Sequence, residues 1–148
     1  MSRLFELDRR ECELLLHAGV FGRIGFSTDQ GVEVLPVNYT TVDGTLLIRT
    51  SPDSLLARHA DGALVVFETD YVNYERWHGW SVVARGVAKC VTEDQLTESE
   101  RSVPEPQPWA RRGEQLWIRL QWADVTGRRT GQGWNPMAEL PVRRMAWP

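Results

Sequence analysis

Hydrophobic and polar residues alternate along most of this chain, which is the pattern of β-strands that have one buried face. One stretch departs from the alternation. Residues 63–68 are almost continuously apolar, as in a central strand that is covered on both sides. Strands are therefore predicted at residues 20–27, 32–42, 46–50, 63–68, 80–91 and 115–126.

Turn residues indicate how these strands connect. Asp43-Gly44 is a strong hairpin signal, so the strands on either side of it should pair antiparallel. The polar and aromatic residues 69–79 are predicted to form a loop, and Gly86 indicates a bulge or a close backbone approach within its strand. Because about six antiparallel strands with short turns usually close on themselves and leave no exposed edge, the expected class is a small, mostly β barrel.

Short helices are predicted at the edges of this barrel. Asp8 and Glu11 have the spacing of a capping box, and Gly19 should end the helix that follows them. Two more short helices are expected, over residues 54–60 and, with an acidic composition, around residues 93–100.

Length and charge limit the classes of function. The 148 residues suit one domain with its own core, so residues 1–148 are assigned to a single domain with residues 128–148 as a C-terminal extension. The formal net charge of −3 comes without a broad basic face, so nucleic acid is not an expected partner.

Cysteine usage and the N-terminus bear on the compartment. Cys12 and Cys90 have no CxxC spacing, which gives no support to a disulfide framework or a metal site. The first residues lack the apolar region of a signal peptide, and no apolar run could span a bilayer. We therefore expect a cytoplasmic protein with no membrane partner.

The segment from Leu46 to Arg58 carries the most distinctive chemistry. A strand there delivers Arg49, Thr50 and Ser51 to the start of a predicted helix, where Pro52 suits the first helical position. A guanidinium, hydroxyls and free backbone N–H groups at one point are typical of a phosphate site. The same spacing fits a purely structural interpretation, in which Ser51 caps the helix and Arg49 is a solvated strand residue.

Side chains suited to catalysis are few. His17, His59 and His78 fall in different elements, and neither a GxSxG elbow nor an HExxH motif is present. The chain also has no P-loop and no Rossmann fingerprint. Any chemistry would therefore come from a bound cofactor, with His78 and Tyr39 as the candidates for proton transfer and the catalytic residues otherwise unassigned.

A set of strand motifs occurs in a specific order between residues 8 and 130. These motifs are Gly22-Arg23-Ile24-Gly25-Phe26-Ser27, Val34-Leu35-Pro36-Val37-Asn38-Tyr39, Leu47-Ile48-Arg49-Thr50, Val65-Val66-Phe67-Glu68 and Gly79-Trp80-Ser81-Val82-Val83-Ala84-Arg85-Gly86. Each motif is short, but the ordered set resembles the pyridoxamine 5'-phosphate oxidase-like flavoproteins, in particular the small actinobacterial branch related to nitroimidazole-resistance proteins.

The resemblance implies a Greek-key split β-barrel of six antiparallel strands, and a homodimer that binds FMN in two equivalent clefts between the subunits. In this chain the phosphate would then contact Arg49, Thr50, Ser51 and Ser54. The isoalloxazine ring would lie beside the backbone of Pro36, Val37 and Asn38, with Trp80 and Ser81 lining the cleft near the ring.

The phosphate segment departs from the pattern of many relatives, which have a lysine at the helix start. Asp53-Ser54-Leu55 stands here instead, so a leucine replaces the lysine and an acidic residue lies nearby. Arg58, one turn further along the helix, is the residue expected to compensate for the missing charge.

The function implied by the resemblance is an FMN-dependent oxidoreductase that transfers hydride between the flavin and an unidentified small substrate. A deazaflavin-dependent reductase is a variant of this hypothesis, with Arg128 and Arg129 contacting the longer coenzyme tail. A non-catalytic protein that stores or senses flavin or haem in the same cleft is the alternative from another class. A structural dimer with an empty cleft is the third hypothesis.

Overall fold

The computed structural model describes residues 4–103, 106 and 113–138. Nine strands lie among these residues, and their pairings are antiparallel. The strands are β1 Leu4–Glu6, β2 Phe21–Thr28, β3 Gly31–Asn38, β4 Thr40–Val42, β5 Thr45–Thr50, β6 Leu64–Asn73, β7 His78–Val91, β8 Leu116–Gln121 and β9 Asp124–Thr130. The helices are α1 Arg9–Ala18, α2 Leu55–Ala60 and α3 Glu98–Ser102, with short 3-10 turns at Glu93–Gln95 and Pro136–Ala138. The mostly β, antiparallel class is confirmed, with nine strands in place of the expected six.

The long strand β7 joins the two halves of the sheet, whose order is β3-β2-β6-β7-β8-β5-β4. One edge of β7 pairs with β6, and the other edge pairs first with β9 and then with β8. The change of partner occurs around Gly86, where a Cβ would overlap the carbonyl oxygen of Gln121. The predicted close backbone approach at Gly86 is therefore confirmed.

The loop predicted over residues 69–79 is wrong, because β6 and β7 both extend into that range. Strand β6 runs to Asn73 and β7 begins at His78, so only residues 74–77 form the turn between them. Polar residues at buried positions of these strands interrupt the apolar alternation on which the prediction relied. Thr69 is buried, and its hydroxyl donates to the carbonyl oxygen of Phe21 at 2.9 Å.

Two of the predicted strands are each divided. The range 32–42 breaks at Tyr39, which lies between β3 and β4 and whose buried hydroxyl donates to the carbonyl oxygen of Leu16 at 2.6 Å. The range 115–126 is shared by β8 and β9, and β9 continues to Thr130. Strand β1 has no counterpart in the prediction, since three residues are too few to show an alternation.

The predicted capping box of the first helix is confirmed. The Asp8 carboxylate accepts from the Glu11 backbone N–H, the Glu11 carboxylate accepts from the Asp8 N–H, and the helix ends at Gly19. Helix α1 packs its buried residues against β9 and the core around Tyr39 and Phe67, whose rings are in contact with their planes inclined by 59°. The single acidic helix predicted over residues 93–100 is instead a 3-10 turn followed by α3.

Both cysteines are free thiols, and burial raises the pKa of Cys12 to about 11. Among the residues that the structure describes, no helix combines the length and apolar character needed to cross a membrane. The part of the C-terminal extension at residues 139–148 lies outside the described residues.

Replacing Gly86 by alanine should lower the free energy of unfolding by about 1–3 kcal/mol, because the added methyl group meets backbone of β8 that cannot move aside. Urea denaturation of the purified variant measures this change. Lys89→Ala, at an exposed position of the same strand, is the matched control and should stay within about 0.5 kcal/mol of the parent protein.

A partly buried ion pair ties α3 to β8. The Arg119 guanidinium donates to both carboxylate oxygens of Glu100, at 2.6 and 2.7 Å, and to the carbonyl oxygen of Gln95 at 3.1 Å. The hydrogen bond from Arg119 lowers the pKa of Glu100 below its ordinary value, against the opposing effect of burial.

This lowered pKa makes part of the stability depend on pH. The contribution of Glu100 is complete above the pKa of the unfolded chain and is lost as the pH falls through the lower pKa of the folded protein. Glu100→Gln should therefore cost about 2 kcal/mol near neutral pH and flatten the decline of unfolding free energy in acid. Urea denaturation from pH 7 to pH 3 tests this, with the exposed Glu98→Gln as the control that should retain the parental slope.

Candidate functional site

The ends of β3 and β5 meet beside the start of α2 and enclose a cleft of about 210 Å³. We call it the Arg49 cleft. Of the residues predicted to bind a cofactor, the structure brings together here Pro36, Val37, Asn38, Arg49, Thr50, Ser51 and Ser54. Residues far apart in the sequence thus meet at one place, as the phosphate and ring contacts of a nucleotide would require.

Hydrogen bonds hold the hydroxyl groups of this cleft in place. The Thr50 hydroxyl donates to Ser54 Oγ at 2.7 Å, and Ser54 Oγ also accepts from the Ala57 N–H at 3.0 Å as the N-cap of α2. The Ser54 N–H donates to the carbonyl oxygen of Ser51 at 3.0 Å, which closes the intervening turn. Because Oγ of Ser54 serves as acceptor in both bonds, its own proton remains for donation to a ligand.

The start of α2 differs from the sequence prediction. The helix begins at Leu55 with Ser54 as its N-cap, so the assignment of Pro52 to the first helical position is wrong, as is a capping role for Ser51. Pro52 lies instead in the turn before the cap. The hydroxyl of Ser54 satisfies a helix N–H, and this local bond decides where the helix starts.

Arg49 is held against an aromatic ring. It faces Trp117 in the register of β5 and β8, and its guanidinium carbon lies 5.2 Å from the centroid of the Trp117 ring. Cation–π attraction and stacking restrict the guanidinium without neutralising its charge. The interpretation of Arg49 as a fully solvated strand residue is therefore wrong, since its side chain is half-buried at the cleft.

The residues that depart from the family pattern do not line the cleft. Leu55 packs against the hydrophobic core, whereas Asp53 and Arg58 are exposed to solvent. The acid therefore keeps its charge hydrated, which weakens its repulsion of an anion in the cleft. Arg58 is likewise not positioned in the cleft to replace the missing lysine.

Trp80 and Ser81 lie in a different cavity of the chain. This cavity, which we call the aromatic pocket, has a volume of about 600 Å³ and is formed by the β6–β7 turn, the start of β7 and the end of β9. Among its lining residues are Tyr74, Trp77, His78, Trp80, Ser81, Arg128 and Arg129. The Arg49 cleft and the aromatic pocket share no lining residue, so a single chain does not bring Trp80 to Arg49.

The two candidates for proton transfer have structural roles. The His78 ring is buried and stacks on Trp134, with centroids 3.8 Å apart and planes inclined by 8°. The Tyr39 hydroxyl is buried beneath α1, in contact with the carbonyl oxygen of Leu16. His78 lines the aromatic pocket, and no cluster of metal-binding side chains was found in the described ranges.

A charged cluster lies on the outer face of the sheet between these sites. Arg23 donates to Glu68 at 2.8 Å and to Asp70 at 3.4 Å, and Asp70 also lines the aromatic pocket. Burial, followed by the charge of Asp70, raises the pKa of Glu68, and Arg23 opposes that rise. The arginine thus neutralises much of the negative charge at the pocket edge.

Known proteins are similar to this chain in sequence. A family model described as pyridoxamine 5'-phosphate oxidase matches residues 8–129. The uncharacterized protein Rv0080 of Mycobacterium tuberculosis is 33% identical over 130 residues, covering 84% of each chain.

Solved structures are also similar. The FAD binding protein from Mycobacterium smegmatis is 30% identical with a TM-score of 0.64, over 86% of this chain and 98% of that one. A putative pyridoxamine 5'-phosphate oxidase from Corynebacterium glutamicum is 25% identical with a TM-score of 0.70, over 90% and 98%. The split-barrel resemblance is thereby confirmed, and the chain belongs to the pyridoxamine 5'-phosphate oxidase family.

Proposed function

We propose that this protein binds FMN and transfers hydride between the flavin and a small molecule. The observation that carries the proposal is the Arg49 cleft, where a fixed guanidinium and three hydroxyl residues meet the end of β3. The family membership and the FAD-binding relative at 30% identity support a flavin as the ligand. When bound, the flavin supplies the hydride chemistry, because the protein itself offers few catalytic side chains.

The donors of the cleft fit a phosphate group. Arg49 presents a planar set of N–H donors with a permanent positive charge, and the Ser54 hydroxyl has a proton to donate. Ser51 adds a further hydroxyl at the same point. The six residues of α2 make only a short helix, so Arg49 rather than the helix dipole carries most of the electrostatic attraction.

Strand β3 provides the second part of the flavin site. In the described sheet β3 stands at the edge and pairs with β2 alone, so its other edge has backbone N–H and C=O groups not used in strand pairing. The Val37 N–H lies on the edge of β3 that pairs with β2, in step with the Tyr39 N–H that donates to Val20. The backbone groups of Pro36, which has no N–H, and of Asn38 therefore face this part of the cleft. We assign these groups to the isoalloxazine ring, whose electronics depend on such hydrogen bonds.

One protomer forms only part of the site. Pockets that enclose a small ligand usually measure about 300–1,000 Å³, and the Arg49 cleft is smaller at about 210 Å³. We therefore propose a homodimer in which a second copy completes the cleft and contributes Trp80 and Ser81 from its own β7. The separation of these residues from Arg49 within one protomer supports this assignment.

An apolar surface adjoins the cleft and suits the dimer interface. Five large apolar side chains are exposed on the outer face of β3, β6 and β7, and we call them the outer patch: Val32, Val34, Leu64, Val66 and Val87. Pro36 follows Val34 on the same face of β3 and lines the cleft, so patch and cleft are continuous. Exposed apolar patches of this kind mark interaction surfaces.

A non-catalytic flavin or haem carrier is the second candidate function. It is favoured by the positions of His78 and Tyr39, which are both buried in structural contacts rather than free to exchange protons. The deazaflavin variant receives less support, since Arg128 and Arg129 line the aromatic pocket and not the Arg49 cleft. A reducing cytoplasmic setting remains part of the proposal, in keeping with the two free thiols.

Arg49→Met tests the phosphate contact and retains an apolar stem to pack on Trp117. The loss of the charged donor should weaken FMN binding by about 1.5–3 kcal/mol, which is the scale of a charge-assisted hydrogen bond. Calorimetric titration with FMN and FAD measures this change. Arg58→Met is the matched control and should leave the dissociation constant nearly unchanged, and an equal loss in both variants would contradict the placement of Arg49.

Catalytic turnover distinguishes the oxidoreductase hypothesis from the carrier hypothesis. If the protein is an oxidoreductase, the flavin-loaded sample should consume NADH or NADPH steadily when an electron acceptor is present. A carrier would bind flavin with the same dependence on Arg49 but show no turnover above that of free flavin. Titration with haem and deazaflavin coenzyme under the same conditions separates the remaining cofactor hypotheses.

Val66→Glu tests the dimer, because it places a charge in the middle of the outer patch. We expect a monomer in analytical ultracentrifugation, together with loss of FMN binding, since each cleft would lack its second half. Leu14→Glu, at an exposed position of α1 outside the patch, should remain dimeric. A Val66→Glu monomer that binds FMN as tightly as the parent would show that the site is complete in one chain.

A further inference from the structure

The aromatic pocket has the size of a small-molecule site in its own right. Its volume of about 600 Å³ exceeds that of the Arg49 cleft and falls within the usual range for ligand pockets. Two large rings at its edge face solvent: Tyr74 is 79% exposed and Trp77 is 76% exposed. Exposed aromatic rings that line one cavity form a surface suited to contact with a ligand.

One of these two aromatic residues has an unfavourable backbone conformation. Trp77 has a φ of 54°, in the left-handed region that a glycine would adopt more easily. The turn around it is fixed by the Arg76 N–H, which donates to the Asn73 side-chain oxygen at 3.0 Å. A bulky residue held in a strained turn at the edge of a cavity points to a role for its ring rather than for the turn.

A polar group at the pocket lacks a partner. The indole Nε1 of Trp80 is buried, and nothing in the described part of the chain accepts its hydrogen bond. Leaving such a donor unpaired is unfavourable, and buried tryptophans usually find an acceptor. Because this atom is enclosed by protein, the pocket offers a ligand the ring of Trp80 rather than its N–H.

The charges around the pocket leave one cation available. Asp70 accepts from Arg23, whereas Arg129 donates to the carbonyl oxygen of Trp134 at 2.9 Å and lies over the Phe5 ring. The Arg128 side chain is exposed and stands opposite Glu6 in the register of β1 and β9, and across residues 4–103, 106 and 113–138 it forms no hydrogen bond or ion pair. Its fork of donors suits a carboxylate, which it can contact through two parallel hydrogen bonds.

We propose that the aromatic pocket binds a planar aromatic monocarboxylate, with the ring against Trp77 and Tyr74 and the carboxylate on Arg128. One available guanidinium balances the single negative charge of a carboxylate, whereas a phosphate dianion would keep one charge unbalanced. The stacked pair of His78 and Trp134 gives the pocket a rigid wall, to which the end of β9 is tied by the Trp134 indole N–H donating to Thr130. That this ligand reacts with the flavin rests on the proposed function. Its binding does not, although the pocket shares Trp80 and Ser81 with the flavin cleft of the proposed dimer.

Isothermal titration of the purified protein with three probes of one ring system tests the proposal. The probes are 2-naphthoate, the neutral 2-naphthamide and 2-naphthyl phosphate. We expect 2-naphthoate to bind about tenfold more tightly than the amide, the difference made by a charge-assisted contact. Equal affinity for acid and amide, tighter binding of the phosphate, or no binding of 2-naphthoate would each overturn the proposal.

Variants assign the contacts. Arg128→Gln should remove the preference for acid over amide, while Arg10→Gln, an exposed arginine on α1, should leave the preference intact. Trp77→Ala should weaken the binding of 2-naphthoate and of 2-naphthamide by about threefold to tenfold. Trp77→Phe should retain most of the affinity because it keeps an aromatic ring. If Arg128→Gln keeps the preference for acid over amide, the assignment of the carboxylate contact to Arg128 is wrong.

The same titrations separate this proposal from the flavin site. Arg49→Met should lose FMN affinity but bind 2-naphthoate as the parent does, and Arg128→Gln should show the reverse. If FMN fails to bind while 2-naphthoate still depends on Arg128, the proposed function is wrong and the pocket assignment stands. If FMN binds but 2-naphthoate does not, only the pocket assignment is lost.

Discussion

Strand β7 belongs to both halves of the sheet, and this shared membership constrains the rest of the protein. One of its edges is occupied by β6, while the other passes from β9 to β8 near Gly86. The backbone of β8 approaches so closely there that a side chain has no room. The positions of β8, of β5 beside it and of the Arg49 cleft at the end of β5 all follow from that contact.

The same strand separates the two candidate sites. Its first part forms a wall of the aromatic pocket, and its last part supports β8, whose Trp117 holds the guanidinium of Arg49. Within a single chain these two sites lie apart. A dimer through the outer patch offers a physical reason for the separation, because each copy would then supply the half that the other lacks.

The two arginines that carry the proposals differ in their surroundings. Arg49 is half-buried and lies over an indole ring, so its position is set before any anion arrives and less side-chain entropy is lost on binding. Arg128 is exposed and has no partner among the described residues, so its carboxylate contact would be formed at the cost of ordering a long side chain. We therefore expect the Arg49 cleft to discriminate anions more strongly than the aromatic pocket.

Local signals in the sequence predicted the elements they belong to. The Asp8–Glu11 capping box and the Asp43-Gly44 hairpin are confirmed because each depends on hydrogen bonds and backbone angles within a few residues. The ordered strand motifs likewise led to the family, which the comparisons confirm. The loop predicted over residues 69–79 failed because buried polar residues such as Thr69 are satisfied by a distant strand, which no local pattern reveals.

The sequence by itself thus determined the fold class, the family and the segment that carries Arg49. Only the tertiary structure decided which residues share a cavity, since contacts between β3 and β5 or between β7 and β9 depend on packing across the whole sheet. It placed Arg58 and Asp53 in solvent, and it put Trp80 in a pocket away from Arg49. The sequence shows which side chains are present. Which of them come into contact depends on long-range packing, and a binding site needs several side chains in contact with the same ligand.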